Sequence, residues 1–223
     1  MDFITSAAST YAKDTLSVLR FTSMVDSTKV DFMAFLTSFT QTFNSTWTSE
    51  QVYGRNDPIA NFQGTQRSVS LGWELPAANL EEAKKNMQKI SSLTKMLYPG
   101  YSQAEENVKT SVPVVGTTGT NIRVGSNALS LSKAPLIRLK FANLLNSSVK
   151  KDSTGLLGYV GNLSANPTLD MGMFSEKSEG EAKLYPKVYS LSIDFTVLHE
   201  HDLGRTEKDQ NSFSNGPSFP FGG

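Results

Sequence analysis

The clearest alternation in the chain runs through Gln66–Leu75, where Val69, Leu71, Trp73 and Leu75 interleave with Ser68, Ser70, Gly72 and Glu74. A period of two predicts a strand with one face buried. Pro76 ends it by withdrawing a ladder donor. Asn79 then stands where a helix cap is needed, and Glu82 holds the capping-box position. Leu80, Ala83, Met87, Ile90, Leu93 and Leu97 form one apolar helical stripe, closed by Pro99-Gly100. A strand handing directly to an amphipathic helix is a packing unit, and nothing in it resembles a reaction centre.

A second strong strand is expected over Val188–His199, where Tyr189, Leu191, Ile193, Phe195 and Val197 alternate with Ser190, Ser192, Asp194 and Thr196. Phe32–Trp47 is ambiguous, because Phe35, Phe39, Phe43 and Trp47 stand four apart, a spacing that suits a helix stripe or one strand face. The polar and β-branched residues at the even positions decide for a long strand with its aromatics on a core face. Shorter strands are expected in Pro135–Leu144, Gly155–Leu163 and Asp170–Phe174. The glycines of Gly155–Leu163 form no phosphate loop and read as close backbone approach or a bulge. Ile4, Ala8, Tyr11, Leu16 and Leu19 follow helical spacing over about residues 5–20.

Between these elements, Val52–Gly64 is rich in turn formers, and Ser102–Lys133 reads as a long Gly/Thr/Ser/Asn-rich excursion. Beyond Gly204 the chain is polar and Gly/Pro-rich, expected to be disordered in isolation, with Phe213, Phe219 and Phe221 as apolar anchors for a partner. The expected organisation is an N-terminal arm or helix (1–28), a β-rich domain (29–203, with the excursion 102–133) and a flexible tail (204–223).

Chemistry adds little to this picture. Twenty-one basic and twenty-one acidic residues cancel, which argues against free nucleic-acid binding. No cysteine is present, so disulfides and thiolate chemistry are excluded. No apolar run reaches the roughly 20 residues of a membrane span, and the N-terminus lacks the basic start and apolar core of a signal peptide. His199 and His201 fall on one side of a strand end without an evident third ligand, so a structural or subunit-contact role is the better reading than a metal site. Arg55-Asn56-Asp57 reads as an ordered turn braced by Asp57. There is no Gly-x-Ser-x-Gly elbow, and no catalytic, cofactor-binding or metal-binding residue is nominated.

Five blocks, taken in order, resemble the tail-tube-like baseplate proteins of contractile-tailed bacteriophages. They are VYGRNDPIANFQGTQRSVSLGW, EEAKKNMQKISSLTKMLYPGY, APLIRLKFANLL, GLLGYVGNL and LYPKVYSLSIDFTVLHEHDLG, spanning about Val52 to Gly204. The resemblance is to tube-initiator or hub-adaptor members, which join the baseplate hub to the first tube ring. It implies a mainly β subunit, a tail-tube-like barrel or sandwich with one long amphipathic helix, which acts in a homo-oligomeric ring, a hexamer. It also implies a non-enzymatic virion protein, assembled in the host cytoplasm, without cofactor or membrane binding. Its neighbours would be hub, wedge and tube proteins, with DNA passing through the lumen unbound. Tyr53, Arg55, Asn56, Asp57, His199, His201, Phe213, Phe219 and Phe221 are the candidate interface residues. The alternatives are the tail tube protein itself and a monomeric β-sandwich that binds a surface or carbohydrate; the latter would favour an exposed aromatic platform.

Overall fold

A computed structural model describes residues 18–33, 35–103, 129–146, 155–178, 181–200, 205–206 and 209–213. Its centre is a seven-stranded antiparallel sheet. The strands are β1 (Val18–Ser23), β2 (Lys29–Met33), β3 (Phe35–Glu50), β4 (Ile59–Pro76), β7 (Ile137–Phe141), β8 (Leu156–Pro167) and β11 (Val188–Val197), ordered β2-β1-β7-β8-β11-β4-β3. The single α-helix among the described residues, α1 (Leu80–Lys95), lies on one face. Two-stranded ribbons pair β5 (Gly100–Gln103) with β6 (Leu129–Lys133), β9 (Met173–Ser178) with β10 (Glu181–Pro186), and β12 (Arg205–Thr206) with β13 (Asp209–Phe213). The described residues are therefore mainly β with one long amphipathic helix, as the patterning of Gln66–Leu97 and Val188–His199 predicts. No described helix is long and apolar enough to cross a membrane.

The alternating residues build the core. Val69, Leu71, Trp73 and Leu75 of β4 and Leu191, Ile193, Phe195 and Val197 of β11 are all buried, joined by Leu19, Phe21, Phe32, Ile137 and Leu139. Trp73 is wholly buried against Phe21 and Phe32, with ring centroids 5.9 and 5.7 Å away, and the two phenylalanines touch each other at 5.8 Å. Such contacts add to area burial, each by about 0.5–1.5 kcal/mol. α1 seals this face through Ala83, Leu93 and the following Met96. Asn79 caps it by accepting the Glu82 N–H at 2.8 Å, and Glu82 reaches back to the Ala78 N–H, also at 2.8 Å. The box is thus displaced by one residue from its usual reciprocal bond to the cap residue itself.

Other expectations shift. The helix expected over residues 5–20 lies outside the described residues except for its last three, which begin β1; the β1–β2 hairpin crosses the boundary expected at 28/29. The excursion's centre, 104–128, is also outside, but its two ends pair as β5 and β6. In the tail, β12 and β13 form a short ribbon where disorder was expected. Gly158 lies against β11, where a Cβ would sit 2.1 Å from the Thr196 carbonyl oxygen, and the β8–β11 register slips between Asp194 and Phe195. The glycine-rich strand thus uses both close approach and a bulge.

Candidate functional site

β3 and β4 are far longer than their neighbours, and only part of each belongs to the sheet. β11 pairs with β4 from Pro76 down to Ser68, which faces Thr196, and no further. β3 and β4 stay paired with each other on to Glu50 and Ile59. At about 3.3 Å per residue, the unsupported ribbon is on the order of 30 Å long. It forms a two-stranded arm, closed by the loop at residues 51–58.

The arm continues the core face of the sheet with aromatic residues. The register places Phe43 opposite Arg67, and Trp47 opposite Phe62. Trp47 and Phe62 are 58% and 55% exposed, their centroids 5.1 Å apart at 60°. The Trp47 indole donates to Ser45 Oγ at 2.9 Å, which holds the ring along the ribbon. The expectation that this aromatic series is a core face fails at both ends: a register shift puts Phe35 opposite Glu74 on the other face, 65% exposed, and from Phe43 outward no third strand and no helix covers the series among the described residues.

At the loop, Tyr53 is fully exposed, and Gly54 turns with φ +86°, a conformation that favours glycine. The turn is closed by the Arg55 N–H on the Val52 carbonyl at 3.2 Å, and among the described residues no hydrogen bond from Asp57 braces it. Tyr53, Arg55, Asn56 and Asp57 thus cluster at the arm's far end. His199 lies instead at its base, in an open groove of about 430 Å³ bordered by Thr46, Gln63 and Gln66 on the arm and by Tyr159, Thr196 and Leu198. His201, Phe219, Phe221 and the Phe213 side chain lie outside the described residues. Between the two histidines, Glu200 accepts both Arg138 Nη1 and Nη2, at 2.7 and 2.6 Å. Among the described residues, no three His, Asp or Glu side chains gather to hold a metal.

Arg67 is the residue that patterning missed. It shares the parity of Val69, Leu71 and Trp73, so it points to the core face, and it is only 2% exposed. Nη2 donates to Gln41 Oε1 at 2.6 Å, and Cζ lies 5.5 Å from the Phe43 ring centroid. Nε has no acceptor, and no carboxylate among the described residues pairs with the guanidinium. Burial pulls its pKa down to about 10. An uncompensated buried charge costs several kcal/mol.

The opposite face of the sheet is polar. Arg20 forms a bidentate pair with Asp31 at 2.7 and 2.8 Å, which raises the arginine and lowers the carboxylate through their hydrogen bond. Asp194 accepts the Ser70 hydroxyl at 2.7 Å. Among the described residues of the sheet inward of the arm, Arg20, Lys29, Arg138 and Lys140 stand on this face with Asp31, Glu74 and Asp194, and Glu200 just beyond β11 reaches Arg138. This described part of the face is balanced in charge, and its two arginines are paired with carboxylates. Its lateral edges, β2 and β3, have no further strand beside them in the described sheet.

No protein-family model matches this sequence, and no curated protein matches it. Among solved structures, the Dit (gp 19.1) protein of SPP1, described as a paradigm of the hub adsorption apparatus in phages infecting Gram-positive bacteria, aligns with a TM-score of 0.35 and 7% identity. The alignment covers 81% of this chain and 49% of that one, so the chain spans about half the length of that structure.

Proposed function

We propose that this chain is a structural subunit of a contractile phage tail, forming a ring at the baseplate–tube junction that initiates or continues the tail tube. The observation that carries the reading is the sheet itself, with one neutral polar face, one helix-covered face and two open edges. Seven antiparallel strands leave β2 and β3 running in the same direction, so a second copy can continue the sheet laterally in one sense. Repeated around an axis, that head-to-tail contact closes into a ring and removes both open edges. The five sequence blocks supply the phage assignment, and a hexamer is the stoichiometry the resemblance implies.

In such a ring the polar face lines the bore. DNA affinity rests on lysine and arginine contacts with phosphate, and here Asp31 and Glu200 already occupy two of the arginines. The bore lets DNA pass without holding it. The chain is a passive adaptor, assembled in the host cytoplasm into the virion, with hub, wedge and tube proteins as axial neighbours.

Electron microscopy of the purified protein tests this. Rings with a central opening are expected; isolated monomers at high concentration would refute the ring. A second reading, a monomeric surface- or carbohydrate-binding module, draws on the exposed Trp47–Phe62 pair, and it requires those monomers together with glycan binding lost in Trp47→Ala.

A further inference from the structure

The arm is one half of an unfinished ladder. Beyond Ser68 no described strand pairs with the second edge of β4, so its backbone from Arg67 to Ile59 meets β3 on one side only. The open groove at the arm's base runs along this edge: Gln63, Gly64, Thr65 and Gln66 border it, and Leu198 and His199 stand where β11 has ended. An edge of this kind accepts an extended segment as a further strand.

Two features of the arm's aromatic face set what that segment carries. At the root is Arg67, 2% exposed, with the neutral Gln41 amide oxygen at 2.6 Å, no acceptor on Nε and no paired carboxylate among the described residues. Farther out is the exposed Trp47–Phe62 pair. Arg67 is opposite Phe43 and Phe62 is opposite Trp47, so cation and rings are four residues of β3 apart, about 13 Å. A complementary strand has an acid and, four residues on, an aromatic, since an even spacing keeps both on one face.

β13 has that sequence. Asp209–Phe213 reads DQNSF, an acid and a phenylalanine four residues apart. Among the described strands it pairs only with β12, outside the main sheet. Its chain also sets out away from its own arm. The Leu198 N–H donates to the Leu157 carbonyl at 2.8 Å and Glu200 is held by Arg138, both on the β8 side of β11 rather than the β4 side.

We propose that the arm receives β13 of a second copy, with Asp209 level with Arg67 and Phe213 level with the Trp47–Phe62 pair. The inference rests on the ring reading and names the segments that meet. Docked so, β13 runs antiparallel to β4, as β11 does, and extends the line of β11 along the arm. The carboxylate gives the buried guanidinium a charged partner, and the phenylalanine covers the exposed rings.

The test uses the full chain, which has no cysteine of its own. The proposed pairing sets Gln210 opposite Gln66, an exposed position. Gln66→Cys and Gln210→Cys chains, mixed and oxidised, are expected to give a disulfide-linked dimer of the two variants. Asn61→Cys in place of Gln66→Cys, roughly 15 Å farther along the arm, is expected not to link, being beyond disulfide reach. In sedimentation, Asp209→Asn is expected to weaken self-association by on the order of tenfold, and to weaken Arg67→Met no further. Asp209 lies outside the main sheet, so its variant reports on assembly even where Arg67→Met misfolds. Wild type that stays monomeric overturns the ring reading and this inference together. Wild-type rings with no disulfide in the first mixture, equal linking at Asn61→Cys, or undiminished association of Asp209→Asn overturn the inference alone. So does a disulfide formed within one chain of the Gln66→Cys/Gln210→Cys double variant, which would put the tail on its own arm.

Discussion

The two halves of β4 lie in one strand and share one partner, β3, yet they live in different environments. From Ser68 to Pro76 the strand is paired on both sides, and its odd residues pack under α1 with β11 beside them. From Ile59 to Arg67 it is paired on one side only, and its aromatic neighbours face outward. Alternation is common to both stretches, whereas burial comes from the third strand and the helix. A lone two-stranded ribbon is marginal in water, so the arm's order depends on the sheet at its root and on whatever meets it beyond.

The largest expected difference between the halves comes from a charge on the core face. Leu71→Asp should abolish soluble folding, since it puts an unpaired carboxylate at a position 1% exposed. Ser192→Asp, exposed on the opposite face between Gly72 and Ser164, should cost under about 1 kcal/mol in urea unfolding. Equal effects would mean the faces are misassigned. Next in size, Trp47→Ala with Phe62→Ala should cost the subunit only about 0.5–1.5 kcal/mol, the scale of an exposed aromatic pair, while sharply reducing self-association in sedimentation. A loss of several kcal/mol would place the arm in the cooperative core and dissolve the comparison.

How far these halves could be told apart from sequence follows from the same physics. Val69, Leu71 and Trp73 announced the core half, because apolar side chains alternated with serines and glycine. The arm half was read as turn, since Gly54, Asn56, Pro58 and Gly64 lie in or beside it, and only pairing with β3 reveals Ile59–Gly64 as strand. Phe43 and Trp47 have the spacing of core residues, and nothing local states that β11 stops short of them. Arg67 could have been found by parity, as an odd-numbered residue in line with Val69 and Trp73, but an arginine in a polar stretch reads as solvated. The interface candidates at Arg55–Asp57 and His199 fell on the arm's tip and base, which the sequence could not separate in space.

Two smaller tests concern how the sheet's edges are finished. Asn79→Ala should cost about 1 kcal/mol in thermal unfolding by stripping the cap from α1, without touching the arm. Asp26 is held down to about 2, from an ordinary 3.8, by hydrogen bonds from Ser23 and Thr28. A depressed carboxylate contributes stability that is present above the unfolded value and lost as pH falls through the folded one. Acid unfolding of the wild type between about pH 4 and 2 should therefore be steeper than that of Asp26→Asn, followed by circular dichroism in the monomer. Identical slopes would remove Asp26 as an organised carboxylate.

The chain has two tryptophans, one in the core half of β4 and one on β3 opposite the arm half: Trp73 wholly buried with no acceptor for its indole N–H, Trp47 mostly in water. Their fluorescence should therefore be separable without any label. Trp73 should emit to the blue and resist quenching by iodide, while Trp47 should emit to the red and be quenched readily. Covering the arm would shield the red component while leaving the blue one where it is, whereas melting the sheet would shift the blue component toward the red. One cuvette could then follow assembly and unfolding as two distinct optical events.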